Sequence, residues 1–69
     1  MTLQQLKYVL MVADKRSMNQ AAAALFISQP SLSAAVRDLE EEIGLTIFMR
    51  SNKGITVTAA GNEFLGYAR

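Results

Sequence analysis

The chain contains no cysteine, no histidine and no tryptophan, and a single proline. Without cysteine no disulfide can staple it, and without cysteine or histidine the commoner thiolate and imidazole metal sites are excluded. Long hydrophobic runs are also missing. The longest, Tyr8 to Ala13 and Ala21 to Ile27, fall far short of the roughly 20 residues that a membrane-spanning helix needs. Met1 is followed by polar Thr2 and Gln4 rather than a basic leader, so the sequence reads as soluble, intracellular and cytoplasmic. Catalytic groupings are scarce too. Glu40, Glu41 and Glu42 are consecutive, and on a helix such residues point in different directions, so they form no paired acid–base site. No enzyme is expected.

What is present suits one small domain. A chain of 69 residues hides only about 60% of its unfolded surface, which leaves its stability marginal. The net charge is +1, but its distribution is uneven. Asp38, Glu40, Glu41 and Glu42 cluster together. The rest carries all seven basic residues (Lys7, Lys15, Arg16, Arg37, Arg50, Lys53 and Arg69) against Asp14 and Glu63. One acidic knot therefore masks a basic domain.

The residue pattern predicts a mainly α fold. Leu3, Leu6, Leu10 and Ala13 recur at helical spacing, with Val9 and Val12 widening the stripe, so a first helix spans about Thr2–Ala13, capped by Thr2. Asp14-Lys15-Arg16 breaks it. Ser17 and Gln20 have capping-box spacing at the start of an alanine-rich second helix, whose small side chains permit close approach of a neighbour. Phe26-Ile27 links to Ser28, the next cap. Pro30 falls in the first turn of a third helix, where its missing N–H costs nothing. Leu32, Val36, Leu39 and Ile43 form its seam, and Gly44 stops it. Ile47–Met49 and Ile55–Val57 read as strands around a Ser51-Asn52-Lys53-Gly54 turn, with Asn and Gly tolerant of positive φ. Thr58 caps a last helix containing Ala60, Phe64, Leu65 and Ala68, weakened by Gly61 and Gly66. Reaching Arg69 with no stop signal, that helix is expected to continue in a longer parent.

Two short helices joined by a tight link, the second with a clean seam, form the helix-turn-helix pattern. The B-DNA major groove, about 12 Å wide, admits one such helix. Opposite the seam lie Pro30, Ser33, Ala34, Arg37, Asp38 and Glu41. The first half of that face is small or basic and suits a polyanion; the acidic half must point away. The positive end of the helix dipole agrees. Gln29 can pair with adenine, and Arg37 with guanine or a phosphate. Ser31 and Ser33 are short donors for phosphate, and Ser28 starts the same segment. Arg50, Asn52 and Lys53 surround the hairpin tip, where a minor groove or backbone is within reach. Each has a plainer reading: Gln29 and Ser31 as cap polars, Arg37 as an i+4 partner of Glu41, and Lys53 as a solvated turn residue.

The stretch from Ser17 to Ser33, SMNQAAAALFISQPSLS, resembles the helix-turn-helix signature of LysR-type transcriptional regulators. So do LEEEIGLTIFMR, from Leu39 to Arg50, and TAAG, from Thr58 to Gly61. The resemblance covers nearly the whole chain. It implies a winged helix-turn-helix domain over residues 1–57 (three-helix core, short β-hairpin wing) and the start of a C-terminal linker helix over residues 58–69. It further implies double-stranded DNA as partner, at an operator or promoter site resembling an inverted repeat, and the role of transcription factor. A homodimer through the linker helix is implied, with Ala60, Phe64, Leu65 and Ala68 as its apolar contribution, and a higher oligomer in the full-length protein. No cofactor is expected in this chain; a small-molecule co-inducer is implied for a C-terminal domain beyond it. By position, Gln29, Pro30, Ser31 and Ser33 match the reading end of the recognition helix, Arg37 an often basic site, and Arg50 and Lys53 the wing. The family commonly has basic or long polar residues where this chain has Ala34, Ala35 and Asp38. That implies fewer phosphate contacts, or a preference resting more on Gln29, the serines and the wing.

Two other readings share the pattern. A winged helix can serve protein association, which the neutral or acidic Ala34, Asp38 and Glu41 favour and Gln29, Arg37, Arg50 and Lys53 oppose. RNA binding would call for exposed aromatics for stacking, whereas the aromatic residues here mostly fall on expected core stripes.

Overall fold

The computed structural model describes residues 1–68; Arg69, the last of the expected basic residues, lies outside the described residues. The elements are α1 (Leu3–Lys15), α2 (Met18–Leu25), α3 (Gln29–Ile43), β1 (Phe48–Ser51), β2 (Gly54–Val57) and α4 (Ala59–Ala68). Three helices surround one core, the two strands form an antiparallel hairpin beside them, and α4 adds Leu65 to the core. This is the winged helix-turn-helix architecture that the sequence predicts.

Local chemistry sets the helix ends. Thr2 and Gln5 form a complete capping box, each side chain meeting the other's backbone N–H at 3.0 Å. At Ser17 only the forward bond forms, from the Gln20 N–H at 3.2 Å. α1 runs two residues beyond the expected Ala13, because Arg16 takes the left-handed conformation (φ 54°) and ends it there. Phe26 does the same for α2 (φ 60°), and Gly44 for α3 (φ 72°). Ser28 caps α3, accepting from the Ser31 N–H at 3.2 Å, and Pro30 occupies the first turn.

The core is formed by Val9 and Val12 of α1, Ala21 and Ala22 of α2, and Leu32, Val36 and Leu39 of α3, joined by Ile47, Phe48, Ile55 and Leu65. The α1 stripe is therefore centred on Val9 and Val12. Leu3, expected within it, is 71% exposed. The aromatics fall mostly on the core, as expected, with two exceptions. Phe48 is buried and Tyr8 and Phe64 pack against the core, but Phe26 is 95% and Tyr67 84% exposed. Phe26 sits at the left-handed turn between α2 and α3, and Tyr67 on the outer side of α4.

The hairpin pairs Phe48 with Val57, Met49 with Thr56, Arg50 with Ile55 and Ser51 with Gly54. Asn52-Lys53 is thus a two-residue turn, and Gly54 (φ 114°), rather than Asn52, supplies its positive φ. Ile47 stays out of the ladder because its backbone groups are engaged elsewhere. Its N–H donates to Glu40 Oε2 at 2.6 Å, and its carbonyl accepts from the Thr58 N–H at 2.9 Å. The Phe48 N–H also reaches Glu40 Oε2, at 3.1 Å. Glu40 thereby ties the end of α3 to the start of the wing. Near the other end of the wing, the Ile55 N–H donates to the Arg16 carbonyl at 3.3 Å. Thr58 caps α4 by accepting from the Gly61 N–H at 2.9 Å, and its hydroxyl donates to the Thr46 carbonyl.

Candidate nucleic-acid interface

The first turn of α3 lies beside the wing, and a hydrogen-bond chain joins them. Gln29 Nε2 donates to Ser33 Oγ at 2.9 Å, and Arg50 Nη2 donates to the same oxygen at 2.9 Å. Ser28 Oγ donates to Ser31 Oγ at 2.9 Å. Ser28 is therefore spent on capping, while the Ser31 hydroxyl proton stays free of it. A shallow groove between α3 and the wing is lined by Ser33, Arg37, Glu40, Phe48 and Arg50. A second, at the start of α2, is lined by Ser17, Asn19, Gln29, Arg50 and Ser51.

Pro30, Ser31 and Arg37 are exposed, as are Arg50, Asn52 and Lys53 at the wing. Gln29, Ser33 and Ala34 are half-buried. Ser33 thus faces the wing from the flank of α3 rather than crowning its outer face. Asp38 and Glu41 are exposed further along the helix. Among the described residues no ion pair joins Arg37 to Glu41, so the guanidinium is not neutralised by that neighbour. The wing cations and the neutral first turn of α3 form one surface, with Glu40 engaged by the wing backbone beside it and exposed Asp38 and Glu41 further along the helix.

On α4 the four expected dimerisation residues separate. Ala60 is exposed and Phe64 and Ala68 are half-buried, but Leu65 is 4% exposed and belongs to the domain core. Leu65 is withdrawn from the dimerisation set, because its side chain is already committed within the domain. Tyr67, not anticipated, is the large apolar residue left outside. With Phe64 it lines two grooves, one completed by Leu45, Ala60 and Glu63, the other by Met1, Leu6 and Ala68.

Sequence reasoning missed two positioning residues, and both carry a legible signal. Glu40 lies four residues after Val36, on the inward seam, where a lone acid needs backbone donors. Gly61 lies four residues before Leu65, on the buried stripe of α4, where a missing side chain lets another segment approach.

This geometry defines a winged helix-turn-helix module of the nucleic-acid-reading type. The chain belongs to the lysR family of bacterial regulatory helix-turn-helix proteins, whose family model matches residues 3–62. It is 43% identical over 68 residues to the uncharacterized HTH-type transcriptional regulator YkuM of Bacillus subtilis (strain 168), covering 99% of this chain and 23% of that protein. The HTH-type transcriptional regulator ClcR of Pseudomonas putida is 39% identical over 69 residues, covering 100% of this chain and 24% of that protein. The chain thus spans about a quarter of the length of these curated relatives. Among solved structures, a CbnR DBD–DNA complex superposes with a TM-score of 0.95 at 42% identity, covering 100% of this chain and 79% of that one.

Proposed function

We propose that this chain is the duplex-DNA-reading module of a LysR-type transcription regulator. The first turn of α3 enters the major groove, and the wing at residues 50–54 lies on the minor groove or the backbone. One observation carries the reading: the Arg50–Ser33 bond of 2.9 Å joins the wing's cation to the reading end of α3, so both elements can meet a duplex together. Arg37, Arg50 and Lys53 supply phosphate contacts, which set affinity and its salt dependence. Gln29 reads a base edge, and Ser31 and Ser33 donate hydrogen bonds. Ser28 acts through the cap it forms, and Pro30, Ala34 and Asn52 by close, low-bulk approach.

The chain performs no catalysis. It pairs as a homodimer through α4, with Phe64, Tyr67, Ala60 and Ala68 at the seam, so that two copies of α3 meet an inverted-repeat-like operator in successive major grooves. In the full-length protein a higher oligomer forms, and a small-molecule co-inducer acts through a further domain. No described helix is long and apolar enough to cross a membrane, which agrees with work on DNA in the cytoplasm.

Selection of bound sequences from random duplex DNA tests this. An enriched inverted repeat is the expected result. A single enriched half-site would keep the DNA reading and remove the dimer. No enrichment together with no salt-dependent binding would overturn the reading in favour of protein association.

A further inference from the structure

We infer that Ser33 is a hub through which the wing's Arg50 orients Gln29, making Arg50 a positioning residue for base recognition as well as a cation. The inference rests on the DNA reading above. A serine hydroxyl has one donor and two acceptor sites. In Ser33 both acceptor sites are filled, by Gln29 Nε2 at 2.9 Å and Arg50 Nη2 at 2.9 Å. Its hydroxyl proton therefore points elsewhere, and among the described residues it donates to no protein group. The free protein thus holds a hydroxyl donor ready for a phosphate or base acceptor.

The same contact sets the Gln29 carboxamide. One N–H of Nε2 is committed to Ser33, which leaves the second N–H and Oε1 as the presented edge. That donor–acceptor pair is what the N7 and N6–H2 of adenine require. The Arg50 guanidinium is a cation, so its bond to the hub is charge-assisted and stronger than a neutral one. Ala34 and Ala35 place no long side chain beside the hub to compete for the groove. The wing therefore contributes to sequence preference without touching a base, by restricting the rotamers of Gln29 before binding.

The test is selection from random duplex DNA with the full chain, read as base preference at each position. The unaltered chain is expected to prefer adenine at one position, and Gln29→Ala to abolish that preference. Arg50→Met keeps the aliphatic stem and removes the guanidinium; Ser33→Ala removes the hub. Each is expected to reduce the adenine preference at that position about tenfold, with preferences elsewhere unchanged. Ser33→Thr, which keeps a hydroxyl, is expected to retain it. In the Gln29→Ala background Arg50→Met should cause no further loss of preference there, although overall affinity falls. Circular dichroism establishes that each variant is folded. Full adenine preference in folded Arg50→Met or Ser33→Ala would overturn the hub while leaving DNA recognition intact. An unaltered chain with no preferred sequence would overturn both.

Discussion

Replacing Gly61 with alanine should weaken the domain, although alanine is the better helix former. An ideal Cβ at Gly61 would stand 2.5 Å from the Ile47 carbonyl oxygen and 2.9 Å from Ile47 Cα and Cγ2. Two of those three atoms are backbone, and that backbone cannot retreat. The Ile47 N–H is held by Glu40 at 2.6 Å and its carbonyl by the Thr58 N–H at 2.9 Å. The strain must move α4 outward, which loosens Leu65 in the core. Overpacking against fixed atoms costs about 3 kcal/mol, and the gain in helix propensity returns about 1 kcal/mol. The net loss of about 2 kcal/mol lowers Tm by roughly 8–16 °C in a domain of this size. Gly66 is the control: its added Cβ meets nothing within 4 Å, so Gly66→Ala should raise Tm by a few degrees, on the order of 0.5–1 kcal/mol. Thermal unfolding of both variants by far-UV circular dichroism decides. A Gly61→Ala chain melting at or above the unaltered temperature would refute the close-approach argument.

Four further outcomes are expected. Glu40→Ala leaves the Ile47 and Phe48 N–H groups without their carboxylate and should cost about 2–3 kcal/mol in urea unfolding, against a change within about 0.5 kcal/mol for Glu41→Ala; equal effects would sink the clamp. Thr58→Ala removes the α4 cap and should cost about 1 kcal/mol, measured the same way; no change would mean that the cap bond adds nothing. Phe26→Asn should stabilise by about 0.5–1 kcal/mol, because asparagine tolerates the left-handed turn and the exposed ring loses little packing; a lower Tm would show that the ring has a partner within the domain. Lys53→Ala should weaken DNA binding across all sequences and lower the salt slope by about one, and an unchanged slope in a binding titration would remove the wing from the interface.

Much of the fold was legible because its signals are local. Thr2, Ser17, Ser28 and Thr58 cap the helices that follow them, since a side-chain oxygen reaches an N–H only a few residues ahead. Gly44 ends α3 and Gly54 turns the hairpin for equally local reasons. The residues expected at the interface fall in two segments, 28–37 and 50–53, and the structure puts Gln29, Ser33 and Arg50 in one hydrogen-bond chain. Leu3 and Leu65 were misread because periodicity says which residues share a face, not where along that face the neighbours lie. α1 is covered around Val9 and Val12, which leaves Leu3 outside, and Leu65 turns inward although its helix also carries exposed Tyr67.

The residue order by itself determined a cysteine-free chain of four helices and a hairpin, the caps and breaks between them, and a reading helix neutral at its start and acidic beyond. Those properties depend on neighbours within about four positions, or on charges simply counted. Only the tertiary structure decided that Glu40 would hold the wing, that Gly61 would admit the backbone of Ile47, and that Arg50 would reach Ser33 across 17 positions of sequence. Each of these is a contact between segments whose separation is set by packing of the shared core. No local preference encodes such a distance.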